Sequence, residues 1–378
     1  MFLAWRDMLH ARGRFGLMAL VVTLVAFLVV VLGGLIFGLI KDCVSALQQL
    51  PATHMAFENS TRPDYQNSML DKETWGKWAA VPGVKATPIG HSLANARDAQ
   101  GAPVDIAFWG VVPGSFAEPK VIEGQGLSAA PNAMVISRKI AMDKHVKIGD
   151  TITIDRVLTE FKVVGITEAV AVSHAPVAYV PLRKWQEANY GPPGGAPPGD
   201  TLPEAIFTAA TTIALAVDPD ASVDIKARDQ EFGTKTMTKE QSYNGTSGYS
   251  AEIFTVRLMQ FFLIATCVVV LGAFFSIWTI QRTAEIGLVK ALGADNGYLV
   301  RDALSQVLLV LVFATGIGVL AAFGTTSAFE ARGSVFELTT GNVVGSSLLL
   351  IGAGLFGAMF ALRRIVKIEP IIALGRDR

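Results

Sequence analysis

Gln281 to Asp295, QRTAEIGLVKALGAD, is the stretch whose reading decides the fold. Long apolar segments flank it on both sides, and charge marks its two ends. Glu285, Leu288 and Leu292 recur at three- and four-residue steps, as residues on one helix face do. Gly293-Ala294-Asp295 then supplies a stop signal. The spacing predicts a short amphipathic helix in a loop joining two membrane spans.

Composition agrees with that placement. The chain has 378 residues, 51% of them hydrophobic and 17% charged, with a mean hydropathy of +0.43. A soluble domain carries about 25% charged residues, so part of this chain belongs in a membrane. Net charge is zero, which gives no bias toward nucleic acid. Cys43 and Cys267 lie in or beside apolar segments and read as free thiols, since two cysteines make no disulfide framework.

Working outward, Leu258 to Ile280 precedes the loop as a span, and Leu304 to Phe323 follows it as another. Val343 to Leu362, rich in glycine, is a further span whose Gly345, Gly352, Gly354 and Gly357 suggest close helix packing. At the other end, Phe15 to Ile40 runs without a charge. At 1.5 Å per residue this stretch is about 39 Å long, more than the ~30 Å hydrocarbon core. A cleaved signal peptide has an apolar region of only about 7–15 residues, so an uncleaved helix is expected. Helix-forming residues continue to Gln49, which predicts a stalk beyond the bilayer. Residues 51–250 are different material. They hold all but one of the 17 prolines and several alternating runs. Ala133 to Ile140, Ile148 to Ile154, Phe161 to Ile166 and Val177 to Leu182 read as strands with turns and one helix start. Ala205 to Ala216 is too short to span and reads as a buried strand. Gly191 to Gly199 reads as a flexible loop.

The fold class is therefore an α-helical membrane protein with four transmembrane helices plus an extracytoplasmic α/β domain inserted between helices 1 and 2. The divisions are 1–50 (amphipathic start and helix 1), 51–250 (the inserted domain) and 251–378 (helices 2–4, the 281–301 loop and the tail). Lys and Arg cluster in the start, the 281–301 loop and the tail, which places all three in the cytoplasm of a bacterial cell membrane. The long domain lies outside whatever its charge.

Catalytic signatures are missing. No stretch matches G-x-x-x-x-G-K-[ST], so this chain has no phosphate-cradling loop of that type. No H-E-x-x-H, nucleophile elbow or paired-cysteine zinc site is present, so the chain is not expected to be an enzyme or to hold an intrinsic cofactor. Two stretches carry binding chemistry. If 51–58 is helical, His54, Phe57 and Glu58 share a face, with Met55 beside them. Imidazole, thioether and carboxylate can approach an iron atom, and phenylalanine can cover a porphyrin. Before span 2 come Tyr249, Glu252, Arg257 and Met259, where the arginine suits a propionate. The bland alternative for both is an interfacial aromatic belt and ordinary stalk packing.

Arg282, Glu285-Ile286-Gly287, Lys290-Ala291, Gly293 and Ala294 resemble the signature loop of the FtsX/MacB superfamily of ABC-transporter permeases. The order MVISRKIA, KIGDTITI, FKVVGI, AYVPL and the tail EPIIALGR (369–376) are similar to that superfamily as well. The resemblance implies a homodimer with a separate ABC ATPase resting on the 281–295 loop, with Arg282, Glu285, Gly287, Lys290 and Gly293 as its coupling residues. The short four-span format resembles the HrtB-type haem-efflux permeases. That resemblance, together with the His/Met/Glu/Phe cluster, implies haem as cargo drawn from membrane lipid; within the cluster His54, Met55 or Glu58 is the candidate for the iron. Lipophilic-drug or lipopeptide export, and FtsX-like signalling to a cell-wall hydrolase, are the alternatives. Glu285→Lys is expected to abolish stimulation of the ATPase while leaving substrate binding intact; unchanged stimulation would overturn the coupling assignment.

Overall fold

The computed structural model describes residues 12–60, 64–155, 157–192, 202–281, 283–330 and 336–366. They form two units, Ile40–Glu252 and Met1–Leu39 with Ile253–Arg378. Helix α1 (Arg12–Gln49) is one unbroken element that contributes its last turns to the first of these.

The first unit is built on one mixed sheet. Its strands are β1 (His54–Glu58), β2 (Val84–Arg97), β3 (Pro103–Val111), β4 (Val121–Gly124), β5 (Ala133–Ser137), β6 (Thr151–Ile154), β7 (Thr159–Thr167), β8 (Ala171–Val172), β9 (Ala175–Pro181), β10 (Thr212–Val217) and β11 (Thr234–Thr238). The order is β11-β1-β10-β2-β3-β9-β5-β7-β4, with β6 beside β2 and β7, and β8 beside β9. The β3/β9 and β5/β7 pairs are parallel and the rest antiparallel.

Side chains alternate across this sheet as a two-residue period requires. Ala107, Trp109, Val135, Val177 and Tyr179 join one core. Ile106, Phe108, Ile136, Ala178 and Val180 join the other. Burial on both faces explains why these strands read as continuous apolar runs. Cys43, Val44, Ala46, Leu47 and Leu50 at the end of α1 cover the first face. The segment expected as a stalk is thus a packed element of the domain. The opposite face takes helices α2 (Lys72–Ala79), α3 (Arg138–Asp143), α4 (Leu182–Tyr190) and α5 (Ile225–Phe232), which bring Trp78, Ile140 and Trp185. The short helix α6 (Lys239–Ser242) follows β11.

The condition set for 51–58, that it be helical, is not met. Residues 54–58 are strand β1, hydrogen-bonded between β10 and β11. Pro51 stops the helix, and the alternation of Met55 and Phe57 against Ala56 suits two buried faces. The expected strand at 205–216 begins later, at Thr212, after a 3₁₀ turn over Glu204–Thr208. The loop expected at 191–199 falls outside the described residues beyond Pro192.

The second unit holds the N-terminal part of α1, then α7 (Tyr249–Gln281), α8 (Thr283–Ala291), α9 (Asn296–Glu330) and α10 (Thr340–Val366). Among the described residues, four helices are long and apolar enough to cross a membrane. Met18, Val22, Ala26 and Val29 present one stripe of α1 to Ala303, Val307, Leu311 and Ala314 of α9. Of the four α10 glycines singled out, Gly354 and Gly357 make the expected close approaches. A Cβ on Gly354 would lie 2.7 Å from Leu311, and one on Gly357 2.7 Å from the Val268 carbonyl oxygen. Gly345 and Gly352 have open space.

Gly90 and Gly110 face each other across β2 and β3 and form a trough for the Trp185 ring. A Cβ at Gly90 would fall 2.2 Å from Trp185. Gly90→Ala is expected to cost about 2 kcal/mol by overpacking and to lower the melting temperature of the purified chain by roughly 4–8 °C. Gly76→Ala, in α2 with nothing within 4 Å, is the contrasting substitution; it is expected to leave the melting temperature unchanged or slightly raised.

Candidate functional site

The Gly293 region is a closed helix-to-helix turn. The Gly293 N–H donates to the Lys290 carbonyl at 2.9 Å, and the Ala294 N–H to the Val289 carbonyl at 3.2 Å. These two bonds are the Schellman closure of a helix C-terminus. They need a left-handed residue, and Gly293 has φ +96°. Asp295 then accepts the Gly297 N–H at 2.9 Å and caps the next helix, α9. Leu288, Val289 and Leu292 are exposed apolar groups beside this turn, with Leu292 80% exposed. Glu285 and Gly287 lie on α8 with Lys290 in its last turn. Arg282 falls outside the described residues.

The same unit shows a bare helix. In the candidate span Tyr249–Phe274 only 6% of the most apolar window is buried, against 33–39% in the other three. Phe254, Leu258, Phe261 and Phe262 are all exposed. They recur at the three- and four-residue steps of one helix face. Met259 is exposed as well. Arg257 lies on the same helix.

In the α/β unit, the expected iron-binding residues divide. Met55 and Phe57 are fully buried, with Phe57 edge-on to Tyr65 at 4.9 Å. His54 and Glu58 point to the other face, four strand residues or about 13 Å apart. His54 Nδ1 meets Thr53 Oγ1 at 3.0 Å, and Glu58 accepts the Met69 N–H at 3.2 Å. A strand therefore separates what a helix would have gathered, and these four residues do not converge on one metal.

A cluster that the sequence reading missed lies in this unit. The apolar runs within 170–180 fold back at Ser173-His174, both with positive φ (+50° and +64°). This tight turn docks on the end of α1. The Ser173 N–H donates to the Cys43 carbonyl at 3.0 Å, and Ser45 Oγ accepts the Ala171 N–H at 2.8 Å. The turn places the His174 ring between two carboxylates. Nδ1 lies 3.2 Å from Asp42, and Nε2 lies 2.9 Å from Glu252. Lys139 completes the cluster with an ion pair to Asp42. A neutral imidazole donates one hydrogen bond, whereas the imidazolium donates two and satisfies both carboxylates. The signal was present in AVAVSHAPVAYV, two apolar runs around a two-residue break, although Ser-His is not the usual Asn-Gly. Tyr249 packs on Tyr243 with ring centroids 6.1 Å apart.

Burial has a separate effect on His91. It sits between Tyr65 and Trp109 in the domain core. Desolvation of the charged ring holds its pKa down at about 4, so it is neutral under ordinary conditions. Among the described residues, no group of three or more His, Cys, Asp or Glu is arranged to hold a metal ion.

This architecture, four apolar helices with an α/β domain inserted after the first, is that of a membrane permease. The model for the MacB-like periplasmic core domain matches residues 15–230, and that for the FtsX-like permease C-terminal domain matches 257–370. The chain belongs to the FtsX/MacB family of ABC-transporter permeases. Permeases of this family work with an ABC ATPase. A putative hemin transport system permease protein HrtB from Staphylococcus haemolyticus (strain JCSC1435) is 25% identical over 380 residues, covering 99% of each chain. A macrolide export ATP-binding/permease protein MacB from Rhodopseudomonas palustris (strain BisB18) is 27% identical over 99 residues, 26% of this chain and 15% of that one. The crystal structure of the periplasmic region of MacB from Actinobacillus actinomycetemcomitans aligns with a TM-score of 0.38 and 14% identity, covering 55% of this chain and 99% of that one.

Gly293→Ala places a Cβ on a left-handed residue and costs about 1 kcal/mol. Exchange of the Ala294 amide hydrogen is expected to quicken roughly fivefold, with Gly293→Asn intermediate because asparagine tolerates this conformation. Hydrogen–deuterium exchange of the purified chain measures both.

Proposed function

We propose that this chain is the non-catalytic permease subunit of an ABC efflux pump, which exports haem from the membrane as a homodimer served by two copies of a separate ATPase. The observation that carries the cargo assignment is the bare, aromatic, methionine-bearing face of α7, beginning near Glu252. Haem is a flat apolar ring with two propionates, and a lipid-facing helix stripe with Phe254, Phe261 and Phe262 suits its face. Met259 serves as the iron ligand and Arg257 as the partner of a propionate, while the Glu252 carboxylate is engaged by His174. Tyr249 flanks the first turn. The full-length similarity to a chain described as a hemin transport permease supports the same reading. His54, Met55, Phe57 and Glu58 drop out of the proposed ligand set because β1 holds them apart.

The second copy of the chain covers part of the bare α7 face, and membrane lipid the rest. The amphipathic start, the 281–301 loop and the tail face the cytoplasm, and the α/β domain lies outside. Closure of the ATPases presses on α8 through Leu288, Val289 and Leu292. The Schellman turn and the Asp295 cap hold α8 firmly to α9, so the push moves helices instead of being lost in a loose loop. Lipophilic-drug export is the second reading, favoured by the partial match to a macrolide exporter; it needs the aromatic face and no iron ligand.

Absorption spectra of the purified chain with haemin test the cargo. A saturable, shifted Soret band is expected for the wild type and for His54→Ala, and a lost or moved band for Met259→Ala. A spectrum identical to haemin in detergent would reject haem and favour the lipophilic drug.

A further inference from the structure

Asp42, Lys139, His174 and Glu252 all belong to the α/β unit, yet they come from three helices and a turn. Asp42 lies near the end of α1, Lys139 on α3, His174 in the turn between β8 and β9, and Glu252 in the first turn of α7. Asp42 comes two residues after Ile40, where the uncharged run of the first span ends. Glu252 comes six residues before Leu258, where the second apolar run begins. The cluster therefore joins the segment that leads out of one span to the segment that leads into the next.

The two carboxylates are held unequally. Asp42 has a second cation in Lys139, and backbone bonds also fix its part of α1 to the turn. The Ser173 N–H donates to the Cys43 carbonyl at 3.0 Å, and the His174 N–H to the Asp42 carbonyl at 3.3 Å. Lys41, the neighbouring charge on α1, is exposed. The Glu252 carboxylate faces His174 Nε2, which lies 3.0 and 2.9 Å from its two oxygens. The His174 side chain is 34% exposed, so protons reach it from water. Histidine is the side chain whose ordinary titration falls between about pH 5 and 8. The imidazolium attracts and donates to both carboxylates. The neutral ring keeps one N–H and turns a lone pair toward the other carboxylate. In either tautomer Glu252 loses its cation, whereas Asp42 retains Lys139. The turn thus stays on α1 in both states, and the contact to α7 is the one that weakens.

We propose that Asp42, His174 and Glu252 form a proton-dependent clasp, in which the imidazolium fastens the first turn of α7 to the end of α1. The clasp is closed while His174 is protonated and opens as rising pH removes that proton. Acid stiffens the start of α7, and alkali frees it. The clasp depends on neither the cargo nor the ATPase.

Hydrogen–deuterium exchange of the full chain in phosphatidylcholine nanodiscs tests this at about pH 5.5 and about pH 8. The amides of Ile253 to Val256 donate to the carbonyls of Tyr249 to Glu252, so their exchange reports the first turn of α7. After correction for the intrinsic pH dependence of exchange, their protection is expected to be roughly tenfold greater at the lower pH. Amides in the buried strand β3 are expected to show no such change. His174→Gln and Glu252→Gln are expected to give the same weak protection at both pH values. His174→Arg supplies a permanent cation whose planar fork can serve two carboxylates, and is expected to give strong protection at both. No pH dependence in the wild type, a dependence shared by β3, one that persists in either glutamine variant, or weak protection in His174→Arg would each overturn the proposal. Should His174→Arg fail to fold, judged by its circular dichroism, the wild-type and glutamine profiles decide alone.

Discussion

A peptide group in hydrocarbon has no water to bond, so any segment that crosses a membrane must satisfy its own backbone. That requirement makes the four apolar segments helices and confines every irregular piece of this chain to places outside them. Outside the spans the chain closes its helix ends locally: the turn after α8 satisfies its last carbonyls with the Gly293 and Ala294 amides before Asp295 caps the next helix. A run of letters that resembles a family signature is thereby also a solved hydrogen-bonding problem.

Much of this architecture was legible in the residues. Uncharged runs of span length have one physical reading, and Gly-Ala-Asp after a helical repeat is a stop followed by a start. Strand runs such as Phe161 to Ile166 and Val177 to Val180 declared themselves through β-branched residues between turn signals. The stretch 54–58 did not. Five residues, His-Met-Ala-Phe-Glu, fit a helix face and a strand equally well, and only their partners decide between them. Those partners, Ile213 to Leu215 and Thr234 to Thr238, lie far along the chain. Local pattern carries no information about them, so the ligand set built on a helix there did not survive.

The His174 cluster was hidden for a related reason. Asp42, Lys139, His174 and Glu252 are separated by long stretches of sequence and share no spacing. They meet because a tight turn docks on the end of one helix while the first turn of another passes beside it. The Ser173 and His174 backbones hold positive φ to make that docking possible. Strain of this kind persists only where surrounding contacts over-determine it, and here the Ser45 hydroxyl and the Cys43 carbonyl do so.

The place of β1 in the sheet bears on how the chain is made. Its two neighbours are β10 and β11, so the first strand of the inserted domain pairs with the last two strands. A ribosome delivers β1 soon after the first membrane helix and its partners only near the domain's end. Throughout that interval Met55 and Phe57 have no sheet to enter, and long-range pairing of this kind is slow and prone to aggregation. The domain therefore finishes its core late in synthesis, when the second membrane helix is about to be made. A truncation anywhere before Thr238 leaves an exposed edge instead of a smaller domain.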